Sequence, residues 1–163
     1  MFNFFKKKTP VIAVYSPVQG KRLPIEKSKD PMFAQRLLGD GFVVDPVEAV
    51  FRSPVTGKLT ILHEALHTYG VTTPDGLEVL VHIGLHTVML RGMGFVSRKE
   101  IGDEVKAGEP ILDADIELIR AMGISIETPV VLTNIDQYEI LSVNLEGELD
   151  QPVMTLRRIA PLD

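Results

Sequence analysis

The stretch His67-Thr68-Tyr69-Gly70-Val71-Thr72-Thr73-Pro74-Asp75-Gly76-Leu77-Glu78-Val79-Leu80-Val81-His82 decides how this chain is read. At its centre, Thr73-Pro74-Asp75-Gly76 has the form of a tight turn, because proline at the second position presets φ and glycine is favoured at the fourth. Downstream, Glu78 to Ile83 is rich in apolar and β-branched residues, as is Lys58 to His63 upstream. If the turn closes an antiparallel hairpin, Thr73 faces Gly76. The same register carried outward sets His67 opposite His82. Directly opposed Cβ atoms lie about 4.5–5.5 Å apart, close enough for two imidazoles to share one small anion. The register also opposes His63 and His86. All 4 histidines of the chain then fall into two cross-strand pairs on one face. The pairs stand about 13 Å apart along the strands, at roughly 3.3 Å per residue. Gly84 is a candidate bulge that would shift the outer pair.

Outward from the hairpin, short apolar runs alternate with turn residues. Val11 to Tyr15, Phe42 to Asp45, Pro129 to Thr133, Tyr138 to Val143 and Val153 to Arg158 read as strands, and Thr87 to Leu90 continues that character. Asp30 to Leu38 and Asp115 to Met122 read as short helical segments, ended by glycine. Helices are too few for alternating βαβ units. The expected fold is therefore all-β, a compact antiparallel sandwich or barrel with one or two short helical segments. Ser16-Pro17-Val18-Gln19-Gly20-Lys21 and Ser53-Pro54-Val55-Thr56-Gly57-Lys58 repeat the same pattern. Each copy is expected to make a similar strand-turn-strand step, in a pseudo-symmetric sandwich. Residues 1–10 read as a flexible tail and 11–163 as one domain.

Composition narrows the function. The net charge is −5 with both signs interspersed, and no basic stripe invites nucleic acid. There are 0 cysteines, which removes disulfides and thiolate zinc sites and fits a reducing cytoplasm. No apolar run approaches the ~20 residues that cross a bilayer. The start, Met1 to Lys8, places Phe2, Phe4 and Phe5 before Lys6, Lys7 and Lys8. That order is not a signal peptide. It reads either as a solvated tail or as a weak contact with the anionic inner face of the membrane.

Two opposed imidazoles suit either anion chemistry or a metal. A catalytic zinc usually has three protein ligands, and on strands only His67 and His82 reach one point, so a third ligand has to come from elsewhere.

At these residues the chain resembles the glucose-family enzyme IIA component of the bacterial phosphoenolpyruvate-dependent sugar phosphotransferase system. The resemblance runs from about Val11 to Ile159. It is strongest at Gly76-Leu77-Glu78-Val79-Leu80-Val81-His82-Ile83-Gly84-Leu85, then Thr87-Val88, then Gly92-Met93-Gly94-Phe95. Further matching parts are Asp30 with Phe33-Ala34, Gly39-Asp40-Gly41, Pro54-Val55-Thr56-Gly57-Lys58 and Thr128-Pro129-Val130-Val131 leading to Asn134 and Asp136. The resemblance implies a monomeric β-sandwich that takes a phosphoryl group from the phosphocarrier HPr and passes it to the IIB domain of a sugar permease. His82 corresponds to the phosphorylated histidine, reacting at Nε2, and His67 to its helper. A backbone carbonyl near each ring is expected to hold the Nδ1 proton. No cofactor is required; zinc at His67 and His82 is expected only as an adventitious ion or where a partner or neighbour completes the site.

Phe33 matches a family patch residue, and Asp30 and Asp136 match acidic residues that face a basic partner. The rim departs from the family pattern. Ala65 stands where Thr is frequent, His86 where Asp is usual, and His63 where an apolar residue is common. His63 and His86 are expected at the docking rim. The competing functions are a regulatory binding protein that keeps the fold without the chemistry, and a zinc hydrolase on a similar sandwich.

Overall fold

The computed structural model describes residues 9–159; the expectation for the tail at 1–8 lies outside the described residues. The strands begin with β1 (Ile12–Val14) and β2 (Gly20–Pro24), and a helical turn, α1 (Pro31–Ala34), precedes β3 (Asp40–Pro46). Next come β4 (Val50–Arg52), β5 (Gly57–Leu62), β6 (Thr68–Thr72), β7 (Glu78–His82) and β8 (Phe95–Ser97). They are followed by β9 (Glu104–Val105), β10 (Pro110–Ala114), helix α2 (Ile116–Ala121), β11 (Thr128–Leu132), β12 (Tyr138–Val143) and β13 (Met154–Arg158).

A seven-stranded sheet in the order β2-β3-β11-β7-β6-β5-β9 is joined by two three-stranded sheets, β1-β13-β12 and β4-β10-β8. All described pairings are antiparallel. The expected sandwich is thus the observed one. Its core gathers Phe42, Phe51, Leu59, Tyr69, Val79, Val81, Ile83, Leu112 and Leu132 from across the sheets. Each such side chain, fully buried, contributes about 1.5–3 kcal/mol. Among the described residues no helix is long and apolar enough to cross a membrane.

The repeated motif has a structural counterpart. Ser16 Oγ donates to the Val18 carbonyl at 2.6 Å, and Ser53 Oγ does the same to Val55 at 2.5 Å. The copies bind each other reciprocally: Tyr15 N–H donates to Pro54 O at 2.8 Å, and Arg52 N–H to Pro17 O at 2.7 Å. Each then leads into a strand through a glycine with no room for a side chain. A Cβ on Gly20 would stand 2.0 Å from Asp45 O, and one on Gly57 2.1 Å from Thr72 O.

The hairpin register differs from the expected one. Gly76 N–H donates to Thr73 O at 2.9 Å, as the tight turn requires, but Thr73 N–H also donates to Leu77 O at 2.9 Å. The loop therefore holds three residues, Pro74, Asp75 and Gly76, with Gly76 at φ +99°. This is a turn followed by a left-handed glycine bulge. Thr73 faces Leu77 and not Gly76, and every pair moves by one residue: Thr72 faces Glu78, and Thr68 faces His82. His67 is thus not the cross-strand partner of His82. It lies one step outside the ladder, where its carbonyl accepts from Ile83 N–H at 2.7 Å.

The outer pair is also replaced. His63 closes the β5–β6 turn, with its N–H donating to Thr68 O at 2.9 Å and its carbonyl accepting from Leu66 N–H at 2.8 Å. His86 is not opposite it in a strand, because the ladder has already ended at His82. Gly84, at φ +75°, makes a sharp turn there and not a bulge. Thr87–Leu90, expected as strand, is a 3₁₀ turn opened by His86 at φ +65°. Its first residue is tied down by Thr87 Oγ1, which donates to Ile83 O. The helix expected over Asp30 to Leu38 is the single turn α1. Asp30 caps it by accepting from Met32 N–H at 2.9 Å, Pro31 fills its first position, and Arg36 at φ +57° ends its continuation.

Candidate functional site

β7 alternates strictly. Val79 and Val81 enter the core, while Glu78, Leu80 and His82 face outward. His82 is the last residue of the strand. Its backbone is fixed by the sheet, and its ring stands at the sheet's end, where the chain turns at Ile83-Gly84. The Gly84 carbonyl lies 2.7 Å from His82 Nδ1. A carbonyl only accepts, so Nδ1 carries the proton and Nε2 keeps its lone pair.

His67 arrives from the other side. Leu66 at φ +63° swings the chain out of the β5–β6 turn and folds the His67 ring toward His82, with centroids 5.2 Å apart and planes at 80°. His67 is only 5% exposed, and its Nδ1 is buried without a hydrogen-bond partner. The carbonyl expected beside each ring is thus present for His82 and missing for His67. A proton on that Nδ1 would be an unsatisfied buried donor, which favours the neutral tautomer with its proton on Nε2. One imidazole offers a lone pair and the other an N–H.

Both rings are held neutral. Burial, followed by the nearby His82 and His63, pushes His67 down to about 4. His82 is also lowered, mainly by burial and slightly by His86; its bond to Gly84 O and the Asp30 carboxylate act the other way. At neutral pH the site is a pair of uncharged, partly desolvated imidazoles.

The remaining expected residues divide. Phe33 is 4% exposed, and its ring centroid lies 5.3 Å from that of His82. It is both a core residue and a wall of the site. Asp30, one turn earlier, is within electrostatic reach of His82. His63 does not pair with His86; its ring meets His67 edge-on at 4.6 Å, and its Nδ1 accepts from Ala65 N–H at 3.0 Å. His86 is exposed beside His82. Asp136 is not brought to the histidines. It lies in the 3₁₀ turn Ile135–Gln137 next to Asn134, whose side chain accepts from Glu78 N–H at 3.0 Å. That is the opposite end of β7 from His82, about 13 Å away at roughly 3.3 Å per residue. Among the described residues no group of three or more His, Cys, Asp or Glu is placed to hold a metal ion.

Residues 12–138 match the family described as phosphoenolpyruvate-dependent sugar phosphotransferase system, EIIA 1, and the chain belongs to that family. It is 39% identical over 143 residues to a PTS system glucose-specific EIIA component of Staphylococcus epidermidis, covering 88% of this chain and 86% of that one. It is 42% identical over 136 residues to a PTS system glucose-specific EIICBA component of Streptococcus pneumoniae, covering 83% of this chain and 19% of that longer protein. The solved structure of glucose permease IIA from Mycoplasma capricolum matches with a TM-score of 0.85 at 32% identity, covering 95% of this chain and 99% of that one. As a family member the chain is a phosphocarrier of the sugar phosphotransferase system, and a phosphotransferase in its chemistry.

Proposed function

We propose that Nε2 of His82 carries the phosphoryl group and that His67 stabilises it, with phospho-HPr as donor and the IIB domain of a sugar permease as acceptor. The observation that carries this reading is the Gly84 carbonyl 2.7 Å from His82 Nδ1, in a ring that faces a second neutral imidazole. In acceptance, a bond forms between Nε2 and phosphorus as the donor's phosphorus–nitrogen bond breaks. No proton leaves His82. The ring becomes cationic with its Nδ1–H still pointing at Gly84 O, and the Asp30 carboxylate favours that charge. His67 Nε2–H is the donor suited to a phosphoryl oxygen. Positioning and charge stabilisation are most of what such a transfer asks of a protein. Transfer to IIB reverses these steps.

Docking draws on exposed apolar side chains flanking His82: Met32 beside Phe33, and Val88 and Met89 just after His86. The relative from Streptococcus pneumoniae, named as an EIICBA component, supports a permease as the acceptor. The same reading makes residues 11–163 one carrier domain, monomeric and cytoplasmic, with neither cofactor nor metal taking part.

The test is incubation with phosphoenolpyruvate, enzyme I and HPr. An acid-labile, base-stable adduct is expected on the wild type, and none on H82Q. H67Q is expected to accept at least partly but to fail in onward transfer. Adduct formation on H82Q with none on H67Q reverses the roles. No adduct on the wild type, with partner binding retained, makes the chain a regulator.

A further inference from the structure

Glu127, just before β11, is 9% exposed and has no part in the chemistry above. Its Oε2 accepts from Ser28 Oγ–H at 2.7 Å, and its two oxygens accept from Lys29 N–H at 3.1 and 3.3 Å. Ser28 Oγ in turn accepts from Asp30 N–H at 3.2 Å. Asp30 caps α1, and α1 presents Phe33 to the His82 ring. An unbroken chain of contacts therefore runs from the Glu127 carboxylate to the wall of the site. Glu127 N–H also donates to Ser125 Oγ at 3.3 Å, and the Ser125 carbonyl accepts from Leu85 N–H at 3.0 Å, next to Gly84. The segment 125–127 touches both loops that flank His82.

A buried carboxylate is costly unless its lone pairs are occupied, and it is a poor device for stability alone. It is a good device for geometry, because charge-assisted bonds to a hydroxyl and a backbone N–H fix a loop in direction as well as in distance. The loop it holds has no strand ladder of its own between the 3₁₀ turn Ile25–Lys27 and α1.

We propose that Glu127 is a positioning residue for phosphoryl transfer, holding the Ser28–Phe33 segment so that Phe33 and Asp30 stay set against His82. The inference rests on His82 being the phosphoryl acceptor. Glu127 touches neither the phosphoryl group nor the reacting ring.

Three variants test it: E127Q, S28A and F33L. The first readout is independent of phosphorylation. Phe33 lies close enough to shift the carbon-bound ring protons of His82 in NMR spectra, and F33L defines their position without that ring. E127Q and S28A are each expected to move the His82 signals part of the way toward the F33L position. The second readout is the rate of acceptance from phospho-HPr. E127Q is expected to lower kcat/KM about tenfold, mainly through kcat, since small misplacements around a reacting centre cost this much or more. The double variant is expected to be no worse than E127Q, because both changes cut one link. S28A removes only a hydroxyl and keeps the test open should E127Q fold poorly. His82 signals unmoved in both variants, or acceptance within about twofold of wild type in folded protein, would overturn the proposal. A wild type that takes no phosphoryl group overturns the carrier assignment instead, while the ring shifts still decide the Glu127 link.

Discussion

Gly84→Ala should damage both the fold and the tautomer of His82, and the two effects are separable. Gly84 sits at φ +75°, where an alanine costs about 1–2 kcal/mol more than glycine. The added methyl would stand 2.4 Å from Thr87 Cγ2 and 2.8 Å from Ser125 O. Neither neighbour yields easily. Thr87 is fully buried with its hydroxyl committed to Ile83 O, and Ser125 O is committed to Leu85 N–H. Forcing a methyl into such a space costs about 1–3 kcal/mol more. The total of roughly 2–5 kcal/mol lowers the melting temperature of a domain this size by about 5–15 °C. Opening the turn also withdraws the carbonyl from His82 Nδ1. A neutral hydrogen bond worth about 1 kcal/mol biases a tautomer ratio about fivefold; losing it takes the Nδ1–H form from about five-sixths of the population to about half, so acceptance of a phosphoryl group should fall about twofold. The assay is ¹⁵N NMR of the His82 ring beside transfer kinetics, at a temperature where both proteins are folded. Adding Thr87→Ser deletes Cγ2 but keeps the hydroxyl, and should recover part of the melting temperature. A G84A protein that keeps the Nδ1–H tautomer and the wild-type transfer rate would refute the role given to this carbonyl.

Other expectations follow from the same geometry. His67 is driven to about 4 by burial and its neighbouring imidazoles, below its ordinary value near 6.5. The folded state therefore resists a proton that the unfolded chain accepts, so the contribution is complete above about pH 6.5 and is lost as pH falls toward about 4. Urea midpoints for wild type should fall across that window more steeply than those of H67Q; parallel curves would remove His67 from the acid transition. His86 is exposed beside His82 and its left-handed φ is one that Asp tolerates. H86D should therefore raise acceptance from HPr by a modest factor at low salt and lose that gain as salt increases. Equal rates at every salt concentration and at pH 6 and 8 would take His86 out of the docking rim. Zinc should bind weakly through His67 and His82 and compete with phosphorylation, as titration calorimetry with and without phosphoryl donor can show; tight stoichiometric zinc with peptidase activity would overturn the carrier reading.

The architecture was legible in the chain, and so were the two histidines proposed for the site. Alternating short strands and Pro-Gly turns left little choice but an antiparallel sandwich, and the motif around His82 marked one histidine as the centre. The Ser-Pro-Val-x-Gly-Lys repeat announced two equivalent steps, whose reciprocal bonds between Tyr15 and Pro54 and between Arg52 and Pro17 are now visible. How the two rings meet was settled by packing in three dimensions. A type I turn and the same turn followed by a glycine bulge share the letters Thr-Pro-Asp-Gly, yet they differ by one residue in register, and one residue inverts the face of every side chain beyond. His67 reaches His82 because Leu66 adopts a left-handed conformation and lifts it from the ladder. That conformation is set by packing and is not written in the identity of a leucine. The partners of the rings were hidden for a related reason. Gly84 O is backbone, Ser125 and Glu127 are distant in sequence from Ser28 and Leu85, and the missing partner of His67 Nδ1 is a property of the space around it.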